Sequence, residues 1–383
     1  MKIVIWILLC IAALLISCNT SNEENARMAF YKQLAYAHAP IHYQDTDDSY
    51  AIADYITNVN FDGNWIATDN WNNIGNGEQL KAYGYYSVVE TETHWFIVYS
   101  FFHPRDWSDN AFGFEHENDV EGALIFIRKN NTTYGLLEGM ITVFHNDFYS
   151  YKVEGNGLTD GNEDIDGTLT LGNYNETQHV KIGQEAQGHG LKAFPFGDFT
   201  GASGQDGIIY YPSLETAELP SSGNDDNVKY KLIDITAFGE LWFLQIFESS
   251  PTSDNNKTYN SWGNMLGDKT DISNDDCGEN TAFCAENSAN LPWKWNDTDD
   301  GQYCYNNGFT IDCVDTLPAG LIGLDPAYLV DYYFNGLGKF STTYTHNQFV
   351  EDLQEQGYND SFKPKGWPSG LKFSELYARY NEE

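Results

Sequence analysis

The chain has 383 residues, with 20 Lys and Arg against 56 Asp and Glu, for a formal net charge of −36. So acidic a surface repels nucleic acid and anionic lipid, which excludes nucleic-acid-binding classes, and it suits cation binding. Aromatic residues reach 15%, too many for a disordered acidic chain, and the length allows one elaborated folded unit or two.

The N-terminus reads MKIVIWILLCIAALLISCNTSNEEN. Lys2 precedes an apolar run, Ile3–Ile16, that is shorter than the roughly 20 residues of a membrane span. Leu15-Ile16-Ser17-Cys18 follows directly and resembles a bacterial lipoprotein box. That resemblance implies removal of residues 1–17, lipidation of Cys18 and a polar tether over 18–25. An uncleaved anchor or an ordinary signal peptide are the alternatives. Asn19 stands where an aspartate would favour the inner membrane, so the expected address is the bacterial cell envelope, at the outer membrane or cell surface, held by a lipid anchor.

ARMAFYKQLAY (26–36) predicts a short helix. LKAYGYYSVVE (80–90) and HWFIVYSFF (94–102) are aromatic and β-branched strands joined by the turn TET. VEGALIFIRK (120–129) and TTYGLLEGMITVFH (132–145) form a further pair, with a tight hairpin expected at Asn130-Asn131. HVKIG (179–183), DGIIYY (206–211), VKYKLIDIT (228–236) and ELWFLQIF (240–247) continue the series as strands. The expected fold is mainly β, an antiparallel β-sandwich over 26–250, with long insertions at 155–177 and 213–227. Residues 251–383 are expected as an irregular and helical extension packed on that core.

The extension carries Cys277, Cys284, Cys304 and Cys313. In an exported protein four cysteines imply two disulfides with three possible connectivities; the spacing does not match the usual zinc knuckles. Asp325-Pro326 predicts a capped helix to about Phe334, and NQFVEDLQEQG (347–357) a second helix ended by Gly357.

FEHENDVEG (114–122) puts a histidine and several acids at the entrance to a buried strand. Burying carboxylates costs several kcal/mol each unless they are paired or hold a metal. Asp119 and Glu121 share a strand face, His116 folds back over the same spot from the entering loop, and Asp106 ends the preceding strand. Glu117 faces away. One imidazole with three carboxylates is a hard, oxygen-rich set that suits Ca²⁺, Mg²⁺ or Mn²⁺. The alternative is an ion-paired turn.

YSFFHPRD followed by HENDVEG resembles the necrosis- and ethylene-inducing-like proteins, whose pattern is Y-S-W-Y-x-P-K-D, a loop, and G-H-R-H-D-W-E. A vacuolar-protein-sorting-like family shares H-x-x-D-x-E before a strand. The likeness covers roughly residues 97–127. It implies a β-sandwich and a divalent cation held by His116, Asp119, Glu121 and Asp106. Glu115, Asn118 and Val120 stand where the pattern has glycine, its second histidine and tryptophan.

Other candidates are weaker. HEND lacks the second histidine of H-E-x-x-H, and TGASG (200–204) lacks the G-x-S-x-G spacing. His189, between two glycines, is a candidate fifth ligand, general base or substrate contact, with Glu121 as the alternative base. Arg105 could counter the carboxylates or touch substrate, and His103 could pack or donate nearby. Trp293 and Trp295 would share a strand face as a sugar-stacking platform, with core packing as the alternative. NEDIDG (162–167) has the front half of a calcium loop but Asn173 at its closing position. Asp62 in FDGNW could lie near the site.

Three functions compete. The first is a surface lipoprotein that uses the cation to grip a glycan, glycolipid or other polar head group. The second is a metal-dependent hydrolase of a phosphoester, ester or glycosidic bond. The third is a purely structural envelope protein.

Overall fold

The computed structural model describes residues 23–75, 77–107, 116–196, 207–248, 258–267, 287–298, 303–306, 311–314 and 317–380. In chain order the strands are β1 (Ile41–Gln44), β2 (Tyr83–Thr91), β3 (His94–Asp106), β4 (His116–Arg128), β5 (Leu136–Phe144), β6 (Asp147–Lys152), β7 (Thr159–Asp160), β8 (Gly167–Thr168), β9 (Leu171–Tyr174), β10 (Thr177–Gln184), β11 (Leu191–Ala193), β12 (Ile208–Ser213) and β13 (Val228–Asp234). They are followed by β14 (Tyr259–Ser261), β15 (Asn264–Leu266), β16 (Asn287–Asn290), β17 (Tyr303–Asn306), β18 (Ile311–Val314), β19 (Phe334–Asn335) and β20 (Tyr344–His346). The helices are α1 (23–38), α2 (Asn70–Asn73), α3 (Leu241–Phe247), α4 (Leu321–Leu324), α5 (Pro326–Tyr333), α6 (Gln348–Glu355) and α7 (Phe373–Ala378). No described helix is long and apolar enough to cross a membrane.

The protein is mainly β, as the sequence suggests, but its sheet is mixed. One path runs β11-β10-β1-β12-β13-β2-β3-β4-β5-β6-β8, with β9 and β20 attached at its flanks. β1 pairs parallel with β10, and β13 lies parallel to both β12 and β2. The sheet curls until β11 returns against β5 and β4. The expected antiparallel pairing therefore holds for β2 through β6; beyond them parallel pairs are interspersed with antiparallel ones, β1 with β12 and β10 with β11. The parallel partners are distant in sequence, so local alternation cannot reveal their direction.

Four expectations are corrected. The β4–β5 connection is not a two-residue hairpin: it runs from Lys129 to Gly135, where Asn130 caps Thr132 and Gly135 takes a φ of +73°. ELWFLQIF is helical, not a strand. An unbroken apolar run carries no strand signature of its own. Here Leu241, Trp242, Leu244, Gln245 and Ile246 are buried, and the Trp242 indole donates to Asp352 at 2.7 Å. The insertion at 155–177 contains β7, β8 and β9. Asp325-Pro326 does open α5, but the Asp325 side chain makes no cap; it pairs with Arg379 and accepts from Tyr344.

Cys18, Cys277 and Cys284 lie outside the described residues. Cys304 and Cys313 stand opposite each other in the β17–β18 register, and their side chains lie outside the description.

The C-terminal part is built into the core. β20 adds to β2 opposite Glu90 and Thr91. His346 Nδ1 lies 3.0 Å from Glu351 Oε1 and 3.3 Å from Arg27 of α1, while the Tyr380 hydroxyl donates to Glu351 at 2.6 Å. Burial works against the Glu351 charge, but the His346 and Tyr380 bonds hold its carboxyl down at about 2. Its folded pKa is below the ordinary 4.5. Its contribution is therefore complete above that pH and lost as pH falls through about 2. Glu351→Gln should lower stability by about 1–2 kcal/mol at neutral pH, allowing for partial exposure. In thermal melts the gap from the parent chain should close across that acid window; a gap independent of pH would refute the charged pairing.

Candidate functional site

β3 and β4 are each 13 residues long and pair over their whole length. The register sets Asp106 opposite His116, His103 opposite Asp119 and Phe101 opposite Glu121. Asp119 and Glu121 point to one face, as two-residue spacing requires. His116 is three residues before Asp119 and would point the other way in a regular strand. Asn118 breaks the alternation with a φ of +61°, a conformation asparagine tolerates better than most residues. Its buried amide fixes the distortion: Nδ2 donates to Ala67 and Leu266 carbonyls at 2.9 Å, and Oδ1 accepts from Asn70 at 2.6 Å. His116 thus sits on the strand, not on an entering loop.

Asp106, His116, Asp119 and Glu121 are close enough to act on one another's charge. His116 Nε2 is 3.2 Å from Asp106 Oδ2, and its Nδ1 is 2.9 Å from the Asn118 carbonyl. Burial opposes the His116 charge, but Asp106 and Asp119 push its pKa up to about 9. Asp119 Oδ1 accepts from the Val120 N–H at 2.8 Å, and Oδ2 lies 3.0 Å from His189 Nδ1. Burial works against the Asp119 charge, yet His189, His116 and His145 hold its carboxyl below the usual range. Glu121 Oε1 accepts the His145 N–H at 3.0 Å. Its Oε2 is buried with no partner. Burial and the charges of Asp119 and Asp106 raise the Glu121 pKa well above the carboxylate range.

His189 lies beside this cluster, against Asp119. It is fully buried, with Nδ1 on Asp119 and Nε2 3.2 Å from Asp54 Oδ1. These two acids overcome burial and raise its pKa to about 10. Both ring nitrogens of His189 are thus engaged by buried acids. His103 stacks on it at 3.7 Å between ring centroids, kept uncharged by burial, and contacts Gln184.

Arg105 projects away from the acids. It donates to the Trp71 carbonyl and stacks over the Trp71 and Tyr50 rings. Glu117 also faces that side and accepts the Trp71 N–H at 2.8 Å. Asp62 is engaged by Asn64 and Asn73. Trp293 and Trp295 are buried to 0% and 2% exposure, so neither offers a ring face to a sugar. Trp293 packs on Trp242, and the Trp295 indole donates to Val120 and Asn290 carbonyls. The acids of NEDIDG line a cavity of about 270 Å³ with Phe148 and Tyr333.

Sequence reasoning missed Asp54 and His145. Asp54 ends a single helical turn, Ala51–Asp54, and accepts the Asp47 and Gln187 N–H groups at 2.7 Å as well as facing His189. His145 occupies the β5–β6 turn with a φ of +58° and sits 3.2 Å from Glu185. No local motif marks either residue.

Three carboxylates and an imidazole are the donor types of a hard divalent cation site, but among the described residues no group of three His, Cys, Asp or Glu side chains is placed so as to hold a metal ion.

No family model matches the chain, and no curated protein matches it. Among solved structures it is similar to necrosis and ethylene inducing protein 2 from the causal agent of cocoa's witches' broom disease: 16% identity, 39% of this chain, 50% of that one, TM-score 0.21. It is also similar to a protein described as a toxin fold for microbial attack and plant defense: 16% identity, 29% and 45% coverage, TM-score 0.20. A third, NLPPya in complex with mannosamine, is 13% identical over 30% and 44%, with TM-score 0.20. The chain spans about half the length of these proteins. The likenesses are partial, and neither the fold nor the site described above rests on them.

Proposed function

We propose that the protein is a lipid-anchored cell-envelope lipoprotein whose Asp106, His116, Asp119 and Glu121 hold a divalent cation, Ca²⁺, Mg²⁺ or Mn²⁺, that binds an oxygen-rich ligand such as a glycan, glycolipid or polar head group. The observation carrying this reading is Glu121 Oε2: buried, without a partner, and beside Asp119 and Asp106. An unpaired carboxyl oxygen in such a place is costly unless the group keeps its proton or a cation completes it. When bound, the cation supplies Lewis-acid contact to hydroxyl or phosphate oxygens. His189 and Asp54 hold Asp119 in place, and the Asn118 distortion brings His116 to the same side. A metal-dependent hydrolase, with Glu121 as its base, is the second reading; the chain carries no nucleophile motif or phosphate-binding loop, so binding comes first. The Cys304–Cys313 register supports one of the three disulfide connectivities.

The test is metal content of the soluble chain from residue 19, against Asp119→Ala/Glu121→Ala. About one ion per chain is expected in the parent protein, lost in the double variant, with the melting temperature lowered by chelator only in the parent. No ion, and melting indifferent to chelator and added cations, would return the cluster to an ion-paired turn.

A further inference from the structure

The two ends of the β3–β4 ladder differ in what they carry. One end holds Asp106 opposite His116; the other holds His94 opposite Arg128. α1 starts at the second end. Arg27 lies against His346, Tyr31 bonds Glu90, and Phe30 packs on Trp95 at 5.5 Å. Further along, Ala35 accepts from the Tyr99 hydroxyl at 2.6 Å and His38 lies 2.7 Å from the Tyr134 carbonyl of the β4–β5 turn, so α1 stays on the half of the ladder remote from the site. From Trp95 to Asp106 an extended strand covers about 35 Å. Only four residues lie between Cys18 and the start of α1, and the five steps from Cys18 to residue 23 span at most about 18 Å. A lipid on Cys18 cannot reach the Asp106–His116 end.

The geometry points to a candidate site held at the pole remote from the anchoring bilayer, so that its ligand is presented from the aqueous side and is not a head group of the membrane that holds the protein. This rests on the lipid-anchor and cation-site readings above. It narrows the ligand to a soluble oxygen-rich molecule or one displayed on a facing surface. The strong negative charge acts in the same direction, since it repels the body from anionic lipid.

The experiment uses the full chain, purified from membranes and reconstituted into phosphatidylcholine vesicles that carry an acceptor dye on the head group. A donor dye is attached through an azide-bearing residue at Asn25, Glu92 or Asn146, all exposed. Asn146 adjoins His145 at the site, and Glu92 lies in the β2–β3 turn. Energy transfer should fall from Asn25 to Glu92 to Asn146, with Asn146 several-fold below Glu92, and soluble iodide should quench at Asn146. Equal or greater transfer at Asn146 in a chain that floats with the vesicles overturns the orientation and leaves the anchor standing. An N-terminal peptide that carries no lipid on Cys18 by mass spectrometry overturns the anchor and the orientation with it. The metal assay on the soluble chain judges the site independently of both.

Discussion

Replacing Asp54 with alanine should lower the unfolding free energy by about 3–5 kcal/mol, the range for removing one partner of a buried ion pair. Asp54 is fully buried and serves three donors: the His189 imidazolium and the Asp47 and Gln187 N–H groups. Its loss strips His189 of one of two countercharges and leaves two backbone donors unpaired. Asp54→Asn keeps an acceptor oxygen without the charge and should fall between the parent and Asp54→Ala. Denaturant unfolding measures all three. A loss below about 1 kcal/mol, the scale of one ordinary hydrogen bond, would mean that His189 is not held as a cation there.

The second large effect is expected at Gly122, between the Glu121 ligand candidate and Ala123. A Cβ there would lie 2.0 Å from the Tyr99 carbonyl oxygen and 2.7 Å from the Trp295 ring. The backbone of β3 cannot retreat without disturbing its ladder, and Trp295 is fixed through its indole N–H. Gly122→Ala should destabilise by about 3 kcal/mol, the upper part of the range for overpacking, and should weaken cation binding by shifting Glu121. Gly167→Ala is the control, since its nearest neighbour is a Tyr151 ring carbon at 3.5 Å, and it should be close to neutral. Comparable losses at both positions would refute the close approach of Trp295.

The residues that announced the site did so because strand periodicity is local. Asp119 and Glu121 share a face by spacing alone, and the acidic entry to a buried strand is visible without coordinates. Aromatic and β-branched runs likewise marked β2, β3 and β4. What was hidden depends on distant chain. Asp54 and His145 reach the cluster from a helical turn and a hairpin that no local pattern links to β4. The position of His116 follows from one left-handed residue, Asn118, whose buried amide is satisfied by Ala67, Asn70 and Leu266. Trp293 and Trp295 stand beside a polar stretch and read as a surface platform, yet they fill the space between β4 and the C-terminal helices. ELWFLQIF could not declare itself, because an apolar run satisfies either period until tertiary packing selects one.

The clasp that joins β20, α6 and Tyr380 to α1 and β2 has a kinetic consequence. Its partners, Arg27 with His346 and Glu90 with residues near position 345, are separated by more than half of the chain. The end of β2 nearest α1 stays unfinished until residues 344–380 arrive, whatever the rest of the sheet has done. Long-range closure of this kind slows folding, and an open strand edge during the wait invites pairing with another chain. The chain therefore needs its C-terminal segment in place beside α1 before the sheet is finished.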